Sequence, residues 1–204
     1  MKPLLHSRKL FFGVCLLASM LSGCLGTSRP VDYYTLSPLP RLTGGPDATP
    51  GTIIAIYPVV IPEYIDRPQM VTRTDDNQIA LSEFDRWGGT LRHELAKVIA
   101  ENLNVLLAQR RVYVMLDTLT FDPTYLVTVT VNRLDGQLGD TVWLNAAWGI
   151  RDLKAKKMLA VKTSVIQEKV EVQGYAALVA AESRAVAALS REIAVELDRA
   201  LKSP

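Results

Sequence analysis

The sequence predicts an α+β fold, a mainly antiparallel sheet with two long helices packed on one face, in a single domain. Two stretches repeat apolar residues every three or four positions, as a helix does. Other stretches alternate apolar and polar residues, as half-buried strands do. Together they follow the order strands, helix, four strands, helix, which is typical of a sheet covered by helices on one side.

The first half contains four short stretches that predict strands, at residues 31–36, 53–61, 70–74 and 78–82. Pro58 interrupts the second of them and therefore belongs at an edge or a bulge. Asp75, Asp76 and Asn77 separate the last two and predict a hairpin turn, because Asp and Asn tolerate left-handed dihedrals. The same residues lack the regular spacing of oxygen ligands that Ca²⁺ needs, so the turn is the preferred interpretation.

The first helix is predicted to follow this hairpin. Its apolar residues form one stripe at positions 91, 95, 98, 99, 103 and 106. Asp85 is expected to cap the N-terminus, because a short carboxylate can accept hydrogen bonds from the first backbone N–H groups.

The second half is predicted to contain four strands and the second helix. The strands are expected at residues 112–116, 125–131, 142–150 and from 159 onwards, with turns at 136–140 and 152–154. The second helix, 174–201, has a stripe of Leu, Ile and Ala, and further alanines let it pack closely.

The first 23 residues have the features of a secretory signal peptide. Lys2, Arg8 and Lys9 precede the apolar run 10–21, which is too short to cross about 30 Å of hydrocarbon at roughly 1.5 Å per residue. The run ends in Leu-Ser-Gly-Cys at residues 21–24, which resembles the bacterial lipobox. The alternative is an ordinary secretory peptide followed by a chance cysteine.

Cys24 is the expected lipidation site. The lipobox resemblance implies a diacylglyceryl group on its thiol and an N-acyl chain such as palmitate, and two or more chains anchor a protein stably. Leu25 stands where an inner-membrane retention signal usually has Asp, and by resemblance to that sorting rule we expect the protein on the periplasmic face of the outer membrane. Residues 24–30 are then a lipidated tether, and residues 31–204 form the folded domain.

Composition limits the possible partners. The sequence has 23 Lys and Arg against 21 Asp and Glu, and three of the basic residues leave with the signal peptide. The mature chain then has 20 basic and 21 acidic residues, a net charge near −1, and no nucleic-acid partner is expected. Cys15 leaves as well and Cys24 is acylated, so no disulfide is expected.

Residue types that carry catalysis are scarce. His93, the only histidine after processing, lies between Arg92 and Glu94 on the polar side of the first helix, where a solvated role is preferred over a catalytic one. The processed and acylated chain is expected to have no free Cys, and the sequence has no G-x-S-x-G elbow, no phosphate-binding Gly loop and no H-E-x-x-H motif. We therefore expect no enzyme, no catalytic residue, no metal site and no cofactor beyond the covalent lipid.

A polar stretch at residues 63–69 is predicted to be a loop, and two interpretations of it are open. In the first, Tyr64, Asp66, Arg67, Pro68 and Gln69 bind a partner, because Tyr and Arg on a constrained loop are typical interface anchors. In the second, Arg67 pairs with Asp66 and Tyr64 caps the core. Three further aromatic residues are interpreted as core or sheet-face residues in preference to a ligand cleft: Trp87, Trp143 and Trp148.

Several of these segments resemble the PqiC/YmbA-type lipoproteins, the auxiliary lipoprotein components of ABC-type transport systems. The matching pieces lie at residues 33–36 (YYTL), 53–62, 64–69 (YIDRPQ), 83–87, 101–103 (ENL) and around Trp148. The 64–69 run is the most specific of them. Gly88 and Gly89 depart from the pattern, because better helix formers are expected there, and favour a later helix start.

The resemblance implies a role in transport. Such proteins are outer-membrane partners of MCE-domain systems, which move lipids between the two membranes and support envelope integrity. The expected partners are the outer membrane, through the lipid, and an MCE-domain protein anchored in the inner membrane. A lipid-carrying domain and an assembly or pilot lipoprotein of a secretion machine stay open as alternatives, and so does a homo-oligomeric docking collar.

Overall fold

The computed structural model of the protein describes residues 29–41, 51–116 and 122–202. The strands in these ranges are β1 (Asp32–Tyr34), β2 (Thr52–Val60), β3 (Gln69–Asp75), β4 (Gln78–Trp87), β5 (Val112–Met115), β6 (Tyr125–Gly136), β7 (Thr141–Asp152) and β8 (Lys157–Lys169). The helices are α1 (Leu91–Leu106) and α2 (Tyr175–Lys202), and a short 3-10 helix, Ala108–Arg110, follows α1. The signal peptide and Cys24 lie outside the described residues.

The strands form two sheets. A three-stranded sheet has the order β1-β4-β3, and a five-stranded sheet has the order β5-β2-β6-β7-β8. β2 pairs in parallel with both β5 and β6, whereas β6, β7 and β8 pair antiparallel. The parallel pairs arise because the chain leaves β2 through the β3–β4 hairpin and α1 before it returns as β5, and a helical crossover brings a strand back in parallel.

Both helices pack on the five-stranded sheet, α1 mainly against β2 and β5 and α2 mainly against β7 and β8. The buried side chains of the two central antiparallel strands include Val127, Val129, Val131, Val142, Leu144, Ala146, Trp148 and Ile150. The predicted α+β fold class is thereby confirmed, and the predicted strand alternation identifies the buried face.

Pro58 lies in β2, an interior strand, where a missing N–H would interrupt the hydrogen-bond ladder. The register of β2 against β6 shifts between Ile56 and Val59, so Pro58 occupies a bulge. The predicted hairpin is also present, and the backbone N–H of Asn77 donates to Asp75 Oδ1 at 2.8 Å within its turn. This side-chain contact supports the turn interpretation of these residues.

The expected role of Asp85 as a helix cap is wrong. Asp85 lies within β4, and α1 begins after Thr90, whose side chain makes no capping hydrogen bond. The later start has a local reason at Gly88, whose N–H donates to the carbonyl of Tyr34 at 2.8 Å. A Cβ on Gly88 would come within 3.1 Å of Thr35, so this glycine lets β1 approach the end of β4 closely.

The two helices run parallel to each other. Asn102 of α1 donates to Ser190 of α2 at 3.2 Å, and beyond the C-terminus of α1 Arg110 of the 3-10 helix pairs with Asp198 of α2. Their N-termini therefore share one end of the domain and their C-termini the other, which we name the helix N-terminal end and the helix C-terminal end. Neither helix in the described ranges combines the length and the apolar character needed to cross a bilayer.

Candidate functional site

The 64–69 loop joins β2 to β3 at the helix N-terminal end. β2 starts beside Arg111, where the N–H of Gly51 donates to the Arg111 carbonyl at 2.7 Å, and runs toward the N-terminus of α1. Backbone hydrogen bonds hold the loop: the N–H of Ile65 donates to the Pro62 carbonyl, and the N–H of Trp87 to the Pro68 carbonyl at 2.8 Å. Ile65 is buried, so the loop is fixed to the domain on its inner side.

Tyr64 points into the protein. Its hydroxyl donates to Asp135 Oδ2 at 2.7 Å, and its ring packs against the hydrophobic core. Burial and the hydrogen bond to the Asp135 carboxylate raise the pKa of Tyr64 to about 12. Tyr64 is therefore a neutral donor at physiological pH, and its hydroxyl links the loop to β6.

Asp135 lies at the centre of a charged cluster that also contains Tyr64, Arg73 and Arg133. The Asp135 side chain is fully buried. Arg73 donates through Nε to Oδ1 at 3.1 Å and through Nη2 to Oδ2 at 2.9 Å, and Arg133 donates to Oδ1 at 2.8 Å. Burial alone would raise the pKa of Asp135, but the hydrogen bonds from Arg73, Tyr64 and Arg133 outweigh it and lower the pKa.

The cluster connects three parts of the chain. Arg73 comes from β3, Asp135 and Arg133 from the end of β6, and Tyr64 from the loop. The guanidinium of Arg133 also lies 5.3 Å from the ring centre of Trp143, in a cation–π contact. These bonds attach the three-stranded sheet and the 64–69 loop to the five-stranded sheet.

Glu182 is a second buried carboxyl group, on α2. Its side chain lies within the apolar stripe of the helix, and Oε2 has no hydrogen-bond partner among the described residues. Burial, and to a smaller extent the negative charge of Asp135, raises the pKa of Glu182 to about 8. Glu182 is therefore mostly protonated at neutral pH, and it carries no ion pair in the described ranges.

The remaining loop residues differ in their exposure. Asp66 is exposed and pairs with Arg92 in the first turn of α1, and Pro68 is exposed. Arg67 is half-buried, and its Nε has no hydrogen-bond partner within the described ranges. Gln69 pairs with Arg86 as the first residue of β3. The second interpretation of the loop paired Arg67 with Asp66, but the partner of Asp66 is Arg92. The same interpretation had Tyr64 contact the core, and it does.

The N-terminal segment is fastened across both helices. Leu36 is buried, the N–H of Ser37 donates to Ser183 Oγ at 3.0 Å, and the N–H of Leu39 donates to Asn102 Oδ1 at 2.7 Å. Asn102 itself is fully buried between the helices. The residues just after the YYTL segment therefore bond to both helices, at Ser183 and at Asn102 of the ENL segment, and hold the start of the domain in place.

The three tryptophans and His93 also have defined positions in the structure. Trp87 and Trp148 are buried, and Trp148 Nε1 donates to Ser164 Oγ at 2.8 Å. Trp143 is half-buried below Arg133, so the described environment of all three tryptophans is that of core or sheet-face residues. His93 is exposed on α1. Within the described ranges no group of three His, Cys, Asp or Glu residues is placed to hold a metal ion.

The sequence interpretation missed Asp135 and Glu182. Glu182 interrupts the helical stripe between Leu178 and Ala185, and a charged residue within an apolar stripe is a signal that could have identified it. Asp135 gave a weaker signal, because it stands at the end of an alternating strand, where a surface position is equally consistent with the pattern.

A family model for the ABC-type transport auxiliary lipoprotein component matches residues 34–194. The fold is similar to a solved structure of an uncharacterized protein, with 20% identity, a TM-score of 0.70 and coverage of 83% of this chain and 99% of that one. It is also similar to protein XCC0632 from Xanthomonas campestris, with 12% identity, a TM-score of 0.64 and coverage of 84% and 99%. At such identities the likeness concerns the fold alone. No curated protein matches the sequence.

Proposed function

This chain belongs to the family of ABC-type transport auxiliary lipoprotein components, and on that premise we propose that it docks an inner-membrane MCE-domain protein at the outer membrane. In this role a lipid on Cys24 anchors it to the periplasmic face of the outer membrane, and it acts as a binding component of lipid transport without catalysing a reaction. The family match over residues 34–194 is the observation that carries the proposal.

The length of the tether supports a docking role close to the membrane. The seven residues 25–31 reach at most about 25 Å when fully extended. The folded domain has a radius of gyration of about 16 Å by its size. A lipid-anchored protein of these dimensions cannot span the periplasm, so a longer partner has to reach it.

The 64–69 loop is proposed as part of the docking contact. It lies at the helix N-terminal end, and its inner side is fixed by Tyr64 and Ile65. Asp66 and Pro68 face outward, with Arg67 and Gln69 partly accessible beside them. A rigid loop loses little conformational entropy on binding, which favours its use as an interface.

The test is co-purification of the native lipidated protein after crosslinking in cells and extraction in mild detergent. The proposal expects an MCE-domain protein among the crosslinked products. Recovery of a secretion pore in its place would favour the pilot alternative. Phospholipid bound to protein that lacks Cys24, with no MCE-domain protein recovered, would favour the lipid-carrier alternative.

Arg67→Glu tests the loop itself, with Arg151→Glu as a matched charge reversal at an exposed position of β7. Arg67→Glu is expected to reduce partner recovery, whereas Arg151→Glu is expected to leave it unchanged. Because Arg67 is half-buried, Pro68→Asp provides a second variant with an exposed side chain. If folded forms of both loop variants retain the partner and an intact envelope, the loop is not the contact.

A further inference from the structure

An open groove of about 550 Å³ lies at the helix C-terminal end, where α1 and α2 end beside each other. We name it the C-terminal groove. Leu106, Leu107, Ala194 and Val195 provide its apolar lining. Leu106 is 36% exposed and Val195 is 51% exposed, so the groove offers apolar surface to solvent.

The charged residues of the groove are mostly basic. Its lining contains four cations, Arg110, Arg191, Arg199 and Lys202, against one carboxylate, Asp198. The lining residues thus carry a net charge of three positive units, and Glu196, which pairs with Arg199 beside the groove, reduces it to two. The two helix C-termini contribute about half a negative charge each. The groove therefore remains electropositive after the helix dipoles are counted.

Part of this charge has a structural explanation within the helices. Asp198 pairs with Arg110 and with Lys202, and Arg199 pairs with Glu196. Hydrogen bonds from Lys202 and Arg110 lower the pKa of Asp198. Basic side chains in the last turn of a helix also stabilise its negative C-terminal dipole.

The positive charge of Arg191 is explained neither by an ion pair nor by the helix dipole. It stands eleven residues before Lys202, the last residue of α2, whereas the dipole effect fades beyond the last turn. It is exposed and has no ion-pair partner within the described part of the chain. Its charge faces solvent next to Ala194 and Val195, on the same lining.

The position of the groove favours a protein partner over the membrane that holds the tether. β1, the first strand after the tether, lies at the helix N-terminal end, where the ring centres of Tyr34 and Tyr175 are 6.4 Å apart. The 28 residues of α2 separate the two ends by about 40 Å at 1.5 Å per residue. The groove is therefore remote from the point at which the tether joins the domain.

We propose that the C-terminal groove binds an acidic amphipathic segment of a partner protein. Apolar residues of the segment pack on Leu106 and Val195, and its carboxylates pair with Arg191 and with the accessible guanidinium of Arg199. An open groove between two helices fits a helical or extended segment that presents one apolar face. This binding site is separate from the 64–69 loop and does not depend on that loop being a contact.

The test places a photo-crosslinking amino acid at Val195 in the full-length lipidated protein in cells, and the attached peptide is sequenced by mass spectrometry. The expected adduct is a protein segment in which Asp and Glu outnumber Lys and Arg. Adding Arg191→Glu and Arg199→Glu is expected to lower the adduct yield roughly tenfold, because attraction becomes repulsion.

Two controls make the result specific. Arg151→Glu reverses an exposed charge outside the groove and is expected to leave the Val195 adduct unchanged. A crosslinker at Val161, 74% exposed on β8, is expected to be insensitive to the groove substitutions. An adduct on phospholipid, on a second copy of this chain or on a segment without acidic excess would overturn the proposal. So would the absence of an adduct, or a yield unaffected by charge reversal in folded protein.

Discussion

The two ends of the helix pair use charged residues in opposite ways. At the helix N-terminal end, Asp135 is fully buried and accepts hydrogen bonds from two arginines and a tyrosine. At the helix C-terminal end, Asp198 and the basic residues around it remain open to solvent. The same residue types therefore hold the sheets together at one end and leave a positive surface at the other.

This contrast separates residues that stabilise from residues that are available for binding. Removing one member of a buried, fully hydrogen-bonded group of charges lowers the stability strongly, because the other members are left unpaired where water cannot solvate them. Exposed ion pairs contribute little to stability, because water and salt screen them. A substitution of the same kind should therefore have different consequences at the two ends.

Asp135→Asn is expected to produce the largest loss of stability. The amide cannot satisfy Arg73, Arg133 and Tyr64 as the carboxylate does, and breaking a buried charge pair costs about 3 kcal/mol. Urea unfolding followed by circular dichroism measures this loss. Asp198→Asn is the matched control at the other end, and it should leave the unfolding midpoint unchanged. Equal effects of the two substitutions would contradict the contrast between the ends.

Glu182→Gln tests the second buried carboxyl group through pH. The pKa of Glu182 is about 8 in the folded protein and near 4.5 when the group is unperturbed, so between these values the folded state keeps a proton that the unfolded chain has released. Stability should therefore fall as pH rises through this window, by up to about 1.4 kcal/mol per pH unit. Below pH 4.5 both states are protonated and this contribution is constant.

The measurement compares the free energy of unfolding of the wild type and of Glu182→Gln from pH 5.5 to pH 8. The variant, which cannot titrate, should gain stability relative to the wild type as pH rises. Glu196→Gln is the control at the other end, where hydrogen bonding to Lys162 lowers the pKa of a half-buried, ion-paired carboxylate. The same relative gain in both variants would show that burial of Glu182 is not its cause.

Tyr64→Phe is expected to have the smallest effect of the three. It removes one hydrogen bond to Asp135 and leaves both arginines in place, which costs about 1 kcal/mol. Tyr57→Phe, at a tyrosine that is 63% exposed, controls for loss of a hydroxyl without a buried partner. Urea midpoints that do not distinguish these variants would mean that the Tyr64 hydroxyl does not secure the loop.

Local patterns in the sequence predicted much of the fold. Helical periodicity of apolar residues predicted α1 and α2, and alternation of apolar and polar residues predicted β6 and β7. The position of Pro58 within a strand predicted an edge or a bulge, and the structure has a bulge there. The division into two sheets was not predicted, because the pairing of β2 with β5 and β6 joins segments far apart in the chain. Asp85 was misassigned because a carboxylate before a helix resembles a cap, whereas here it accepts hydrogen bonds from Tyr34 and Ser82 within the small sheet.

The candidate sites were predicted only in part. The 64–69 loop was identified from its residues, but the direction of Tyr64 depends on Asp135, which is 71 residues away in the chain. The C-terminal groove has no sequence signature of its own. It exists because α1 and α2 run parallel and end together, and this relation becomes visible only in the folded protein.

The most direct test of the docking role asks whether the MCE-domain protein sediments with the outer membrane. Membrane vesicles would be prepared from three strains, one with the wild-type chain, one without the chain and one with Leu25→Asp, and separated by density. The Leu25→Asp substitution is expected to retain the lipoprotein in the inner membrane. Docking predicts that MCE-domain protein in the outer-membrane fraction falls when the chain is missing or retained. The same amount of MCE-domain protein in that fraction from all three strains would contradict the docking role.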